Sequence, residues 1–205
     1  MVLAEIPVPE LLTPGDRSLE AEQLIRVAEA RVELFTRSHR PRIDNFVVCD
    51  FRLVDSALRW IGDHNLLCGE SFCEWGSGFG VVTLLASLHG LSACGIEVEP
   101  SLVEQSESLA EDQGIEAKFA CGSFVPRGVV QREPIVQEVD HVDVDSVDCY
   151  DELGQEIADF DLFFAFPWPG EHAFWETVFD RYASDGALLL TYQGIEQLRL
   201  QRHTT

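Results

Sequence analysis

FCEWGSGFGVVTLLASLHG, residues 72–90, sets three glycines between two apolar runs. SFCEW, 71–75, has the length and content of a short buried strand, and VVTLLASLHG, 81–90, reads as a helix stopped at Gly90. Gly76, Gly78 and Gly80 fill the turn between them. Glycine tolerates positive φ and lets a ligand come close to the backbone. The amides that open the following helix can then face an anionic group.

Three further features narrow the ligand. LSACGIE, 91–97, is a strand ending in Glu97, 21 residues after Gly76. An acid at that place and spacing can hold ribose hydroxyls. Glu74 precedes Gly76 by two residues, where a carboxylate repels a pyrophosphate and attracts an ammonium. Val81 stands where a dinucleotide fingerprint needs its third glycine. A ligand with a ribose, a carboxylate and an ammonium but no phosphate satisfies all three, and S-adenosylmethionine has that set.

Outward from this stretch, strands and helices alternate. Ser101 and Glu104 form a capping box for a helix to about Gln113, stopped by Gly114. IEAKFAC (115–121), DFDLFFAF (159–166) and GALLLTYQ (186–193) read as strands, and EHAFWETVFDRYAS (171–184) as a helix, with Ala173, Val178 and Tyr182 among its apolar positions. The order predicts an α/β fold, a doubly wound, mostly parallel sheet covered on both faces. Upstream, residues 1–17 read as an irregular arm. Ser18 caps a helix to about Thr36 with Leu24, Ala28, Val32 and Phe35 on one face. NFVVCDF, 45–51, is β-rich, and RLVDSALRWIGDHNLL, 52–67, is helical. The expected organisation is one domain over 1–205: a helical N-terminal cap (1–69), a cofactor-binding core (70–195) and an acidic insert (125–158) read as a solvated loop or flap.

Composition excludes several classes. The net charge of −22, with Lys118 the single lysine against thirteen arginines, repels nucleic acid and anionic membrane and suits a basic protein or a cationic small molecule. No apolar run is long enough to span a bilayer, and MVLAEIPVPELL lacks the basic start of a signal peptide, so a cytoplasmic location is expected. The six cysteines, at 49, 68, 73, 94, 121 and 149, form no CxxC and read as buried reduced thiols. Their spacing with histidine matches no zinc pattern. Asp143 and Asp145 lack the glycine that a calcium loop places after them, so no metal site is expected.

EWGSGFG resembles the first motif of class I S-adenosylmethionine-dependent methyltransferases, and GIEVEP (95–100) resembles their second. ACGSF, 120–124, falls where that family lines the adenine, and DLFFAFPWPGE, 161–171, falls at the fourth motif, which borders the substrate. The resemblance spans about 70 to 195 and implies a Rossmann-like fold and methyl transfer. It implies that Glu74, Gly76, Ser77, Gly78 and Gly80 hold the methionine moiety, Glu97 the ribose, and Ser123 and Phe124 the adenine. WGSGFG with GIEVEPSLV is also similar to small protein-lysine methyltransferases, which implies a protein or small-molecule amine as acceptor. FPWP departs from the acceptor loop of base-modifying relatives, because Phe166 occupies its polar position. Trp168, Glu171 and His172 are the candidates for substrate contact or proton removal. Phe166 and the short C-terminus leave a second reading, a non-catalytic cofactor-binding or interaction module. The family sheet has seven strands, the last antiparallel. GIEQLRLQRHTT, 194–205, is short for the closing hairpin, so the sheet is truncated, or completed by an N-terminal strand such as NFVVCDF, or by a partner.

Overall fold

The computed structural model describes residues 2–9, 12, 17–43, 46–126, 139, 141–143, 147–194 and 197–204. Seven strands form one sheet: β1 (Val2–Ile6), β2 (Ser71–Trp75), β3 (Ser92–Glu97), β4 (Lys118–Cys121), β5 (Leu162–Ala165), β6 (Leu188–Gly194) and β7 (Gln197–Thr204). Their order is β1-β7-β6-β5-β2-β3-β4, with β2 to β6 parallel and β7 antiparallel to both its neighbours. The chain steps outward from β2 through β3 to β4, then returns to the other side of β2 with β5 and β6. That reversal puts a topological switch point between β2 and β5, at whose carboxyl edge such sheets bind ligands.

Period-two alternation divides the core. Phe72, Phe164, Leu188 and Leu190 pack with helices α1 (Leu19–Ser38), α2 (Phe51–Asp63), α3 (Val81–Leu88) and α4 (Pro100–Gln113). Cys73, Trp75, Phe163 and Leu189 pack on the other face with α5 (Tyr150–Leu153) and α6 (His172–Tyr182). The buried stripe of α6 is Phe174, Trp175, Val178 and Phe179, while Ala173 faces solvent. Ser18 caps α1, accepting from the Ala21 amide at 3.0 Å, and Leu24 and Ala28 carry its buried stripe. Among the described residues no helix is long and apolar enough to cross a membrane. Cys73, Cys94 and Cys149 are buried, as expected of thiols, but Cys68 and Cys121 are exposed.

Four expectations change. The sheet is not truncated: only two residues separate Gly194 from Gln197, which leaves eight for β7. The outer edge is closed by β1, within the segment read as an irregular arm, whose Val2 pairs with Thr204 and Ile6 with Leu200. NFVVCDF is therefore not the edge strand; its described residues 46–50 are irregular. Asp50 accepts from the amides of Arg52 and Leu53 at 2.9 and 3.1 Å, which starts α2 at Phe51. Ser101 and Glu104 form no capping box, because Pro100, with its fixed φ, begins α4 and Glu99 is the cap. The Ser101 hydroxyl instead donates to Glu99 Oε1 at 3.0 Å.

The acidic insert is also not wholly solvated. Residues 127–138, 140 and 144–146, Asp145 included, lie outside the described residues. In the rest, Cys149, Tyr150, Leu153 and Ile157 are core residues. Tyr150 Oη accepts from Trp75 Nε1 at 3.0 Å and donates to the Phe124 carbonyl at 2.8 Å. Tyr150 and Leu153 face inward from α5, left-handed Gly154 ends that helix, and Ile157 returns to the core from a separate 3-10 turn, while the acids around them are exposed.

Candidate active site

The turn after β2 is built inward before it can face a ligand. Gly76, Gly78 and Gly80 have φ of 72°, 54° and 67°, in the left-handed region that favours glycine. The Gly76 and Ser77 amides both donate to the Ile96 carbonyl at 2.9 Å, which staples the turn to β3. The Gly78 amide donates to Glu97 Oε2 at 2.8 Å, and the Glu99 amide to Glu97 Oε1 at 3.0 Å. The loop amides therefore hold Glu97 rather than an exogenous anion. A carboxylate offers about four lone-pair sites, so Glu97 keeps capacity to accept from a further donor. Burial pushes the Glu97 carboxyl above its usual range, against the pull of the amide bonds from Glu99, Gly78 and Val98.

Glu74 lies on the α3 side of β2. Its Oε2 accepts from the Thr83 amide at 2.8 Å and from the Thr83 hydroxyl at 2.6 Å. Burial raises its carboxyl to about 8, Thr83 opposes the rise, and nearby Glu97 adds to it. Glu74 thus carries a proton at neutral pH unless a cation enters beside it.

These groups line a cavity of about 500 Å³ at the carboxyl ends of the strands, within the range of small-molecule sites. Glu74, Gly76, Ser77, Gly78, Glu97 and Phe124 line it, and so do Trp168 and His172. Glu74, Glu97, Glu99 and Asp143 give the described lining four acids and no Lys or Arg. Gly80 and Ser123 are not part of the wall. A Cβ at Gly80 would lie 2.6 Å from Phe119 Cζ and 2.8 Å from Ser106 Cβ, so that glycine lets the turn close on β4 and α4. Ser123 is buried, donates to the Asp143 carbonyl at 2.5 Å and accepts from the Val125 amide at 3.1 Å, tying the insert to the end of β4.

The remaining wall is apolar, part aliphatic and part aromatic. Phe124 stacks on both Trp75 and Trp175, with centroids at 4.9 and 4.2 Å, in a trio whose two tryptophans lie 6.2 Å apart. Phe166 packs edge-on against Tyr192 at 4.8 Å, and Phe46 lies over Gly78. His172 Nε2 and Trp175 Nε1 are buried with no hydrogen-bond partner among the described residues, although both residues line the cavity. Each such group costs about 1–3 kcal/mol until a ligand or solvent satisfies it. Ser77 Oγ is likewise unpartnered, and the Ser77 side chain lies over Gly95, where a Cβ would come within 2.8 Å of that oxygen.

Sequence reasoning missed His141. Its backbone amide and its Nδ1 both bond Glu171 Oε1, at 3.0 and 2.9 Å, and its ring stacks on Trp168 at 4.7 Å. Glu171 is 5% exposed and does not line the cavity, whereas His141 does. A histidine in an acidic run carries no local signal for a partner thirty residues away.

No protein-family model and no curated protein matches the chain. Solved structures do. A methyltransferase from Geobacter sulfurreducens aligns over 92% of this chain and 92% of its own, at TM-score 0.54 and 12% identity. An RNA methyltransferase from Salinibacter ruber, in complex with S-adenosyl-L-homocysteine, aligns over 77% of this chain and 93% of its own, at TM-score 0.51 and 17% identity. The fold is that of class I S-adenosylmethionine-dependent methyltransferases.

Proposed function

We propose that the cavity holds S-adenosylmethionine and that the protein transfers its methyl group to an amine, on a small molecule or a basic protein. The observation that carries this reading is Glu97. Its carboxylate is held by backbone amides, those of Gly78 and Glu99 among them, at the tip of β3, on the wall of a cavity at the switch point, with acceptor capacity left for a ribose hydroxyl. The chemistry of the wall agrees. Four acids and no described Lys or Arg suit a ligand bearing a sulfonium and an ammonium, and disfavour a pyrophosphate. Glu74 is the group in line for the ammonium, and the Trp75–Phe124–Trp175 cluster offers apolar ring surface to an adenine. When bound, S-adenosylmethionine supplies an electrophilic methyl, and the protein's part is chiefly to align a nucleophile with it.

The RNA named for the Salinibacter ruber protein is not carried over. A net charge of −22 opposes a polyanion, and the described cavity wall offers no cation to a phosphate. The same charge supports a cationic or neutral acceptor. The test is calorimetry with S-adenosylhomocysteine and with NAD. The first should bind and the second should not. Glu97→Ala should weaken S-adenosylhomocysteine at least about tenfold, the loss of about 1.5–3 kcal/mol of charged hydrogen bonding. Unchanged affinity removes Glu97 from the site, and no binding by the wild type removes the cofactor. Binding without methyl transfer to any amine would favour the non-catalytic module.

A further inference from the structure

We infer that His141, positioned by Glu171, is the base that takes a proton from the acceptor, and that the acceptor is a small amine with an aromatic body. The inference rests on the cofactor reading above and extends it to the other half of the cavity. An ionised carboxylate only accepts hydrogen bonds, so the 2.9 Å contact to Glu171 Oε1 puts the ring hydrogen of His141 on Nδ1. Nε2 of the neutral ring is then left with its lone pair. The same oxygen also holds the His141 backbone amide at 3.0 Å, so one carboxylate fixes both the chain and the tautomer. Trp168 stacks on the ring at an interplanar angle of 21° and prevents its rotation. The His141 side chain is 33% exposed, against 5% for Glu171, so the histidine meets the cavity and the acid stands behind it. This is the arrangement of a base oriented by a third group.

The surroundings select the acceptor. An alkylamine arrives as an ammonium, which has no lone pair for a methyl. One N–H bond must break, with the proton passing to Nε2 and the electron pair staying on the amine nitrogen. The acid-lined wall attracts the ammonium and disfavours a phosphate. Phe166, Trp168 and Trp175 add faces for cation–π and stacking contact. Among the described lining residues Val47, Val48 and Val98 are 54%, 42% and 42% exposed, apolar surface suited to a lipophilic small molecule.

The test uses the full-length protein with S-adenosylmethionine and three probes: phenethylamine, phenol and a lysine-rich peptide. S-adenosylhomocysteine binding is measured on every variant. A second readout needs no cofactor: diethyl pyrocarbonate should carbethoxylate His141 in the ligand-free protein, and phenethylamine should slow that reaction. Phenethylamine should be the methylated probe. His141→Ala should lose about 100-fold or more in turnover, with part restored by added imidazole, and Glu171→Gln should lose about tenfold. His141→Gln serves as a second variant if the alanine form does not fold. Bound S-adenosylhomocysteine without phenethylamine methylation overturns the acceptor and leaves the cofactor reading standing. Preference for the peptide or for phenol does the same. Turnover within about threefold after His141 replacement, or a His141 inert to diethyl pyrocarbonate, overturns the base. Absence of S-adenosylhomocysteine binding overturns both readings.

Discussion

Replacing Glu74 with glutamine tests the electrostatics of the cavity floor without filling or emptying it. The glutamine oxygen can still accept from the Thr83 amide and hydroxyl, now at 2.8 and 2.6 Å from Glu74 Oε2, but the side chain cannot ionise. The wild-type carboxyl is raised from 4.5 to about 8 by burial, with Glu97 adding to the rise. Between those two values the folded chain keeps a proton that the unfolded chain has released. Wild-type stability therefore falls as pH rises through that window, at about 1.36 kcal/mol per unit, to a total of about 5 kcal/mol above pH 8. Glu74→Gln escapes this loss. Urea unfolding should find the two proteins within about 1 kcal/mol of each other at about pH 5. The variant should be more stable by about 2–3 kcal/mol at about pH 6.5 and by about 4–5 kcal/mol at about pH 9, the last an upper figure because water entering the cavity softens the burial cost. A difference that does not change with pH, or that favours the wild type as pH rises, refutes the reasoning and makes Glu74 an ionised group in the empty cavity. The same proton reports on the ligand. A cation bound beside Glu74 favours its ionised form, so binding at about pH 7 should release a proton, seen as a buffer-dependent heat that Glu74→Gln abolishes.

Gly80→Val should destabilise the fold by about 2–4 kcal/mol, from a φ of 67° that a β-branched residue resists and from contact with Phe119 and Ser106. Its folded fraction should keep S-adenosylhomocysteine affinity within about threefold, since Gly80 is not in the wall; lost binding at full stability would put it there. Asp55 joins the chain before α1 to the end of α3, accepting from Arg17 Nε at 2.7 Å and bonding His89 Nε2 at 2.9 Å. Burial pushes its carboxyl upward, but His89 and Arg17 outweigh burial and hold it below 3.8. Asp55→Ala should cost about 1–3 kcal/mol by chemical denaturation at neutral pH, since it removes the buried partner of Arg17 and leaves that side chain with Glu22 and the Arg52 carbonyl. That contribution is full above the unfolded carboxyl value and is lost as pH falls through the lower folded one, so the gap between variant and wild type should close only below about pH 4. A gap that persists unchanged below that value would remove the Asp55 carboxylate as its source.

The strand, glycine turn and helix of 71–88 are legible in the chain because each is decided by neighbours a few residues away: apolar runs of strand or helix length, and turn positions that only glycine tolerates. Glu97 is legible for the same reason, as an acid at the end of a local pattern. The insert was half legible. Its acids mark the outward side, while Tyr150, Leu153 and Ile157 reach the core from a one-turn helix and a separate 3-10 turn with left-handed Gly154 between them, so no single period reveals them.

What the sequence alone determined, then, is the alternation of elements, and with it a parallel sheet with a glycine turn at the end of β2. Tertiary structure decided which strand closes the sheet, because the five residues of β1 have no signal of their own and become a strand by pairing with β7, at the opposite end of the chain. It decided that the loop amides hold Glu97 and Ile96, that Gly80 and Ser123 serve packing, and that Glu171 grips His141. Hydrogen bonds and ion pairs act over about 3 Å whatever the separation in sequence, so the partner of a polar group is fixed only when the sheet and its helices bring the two together.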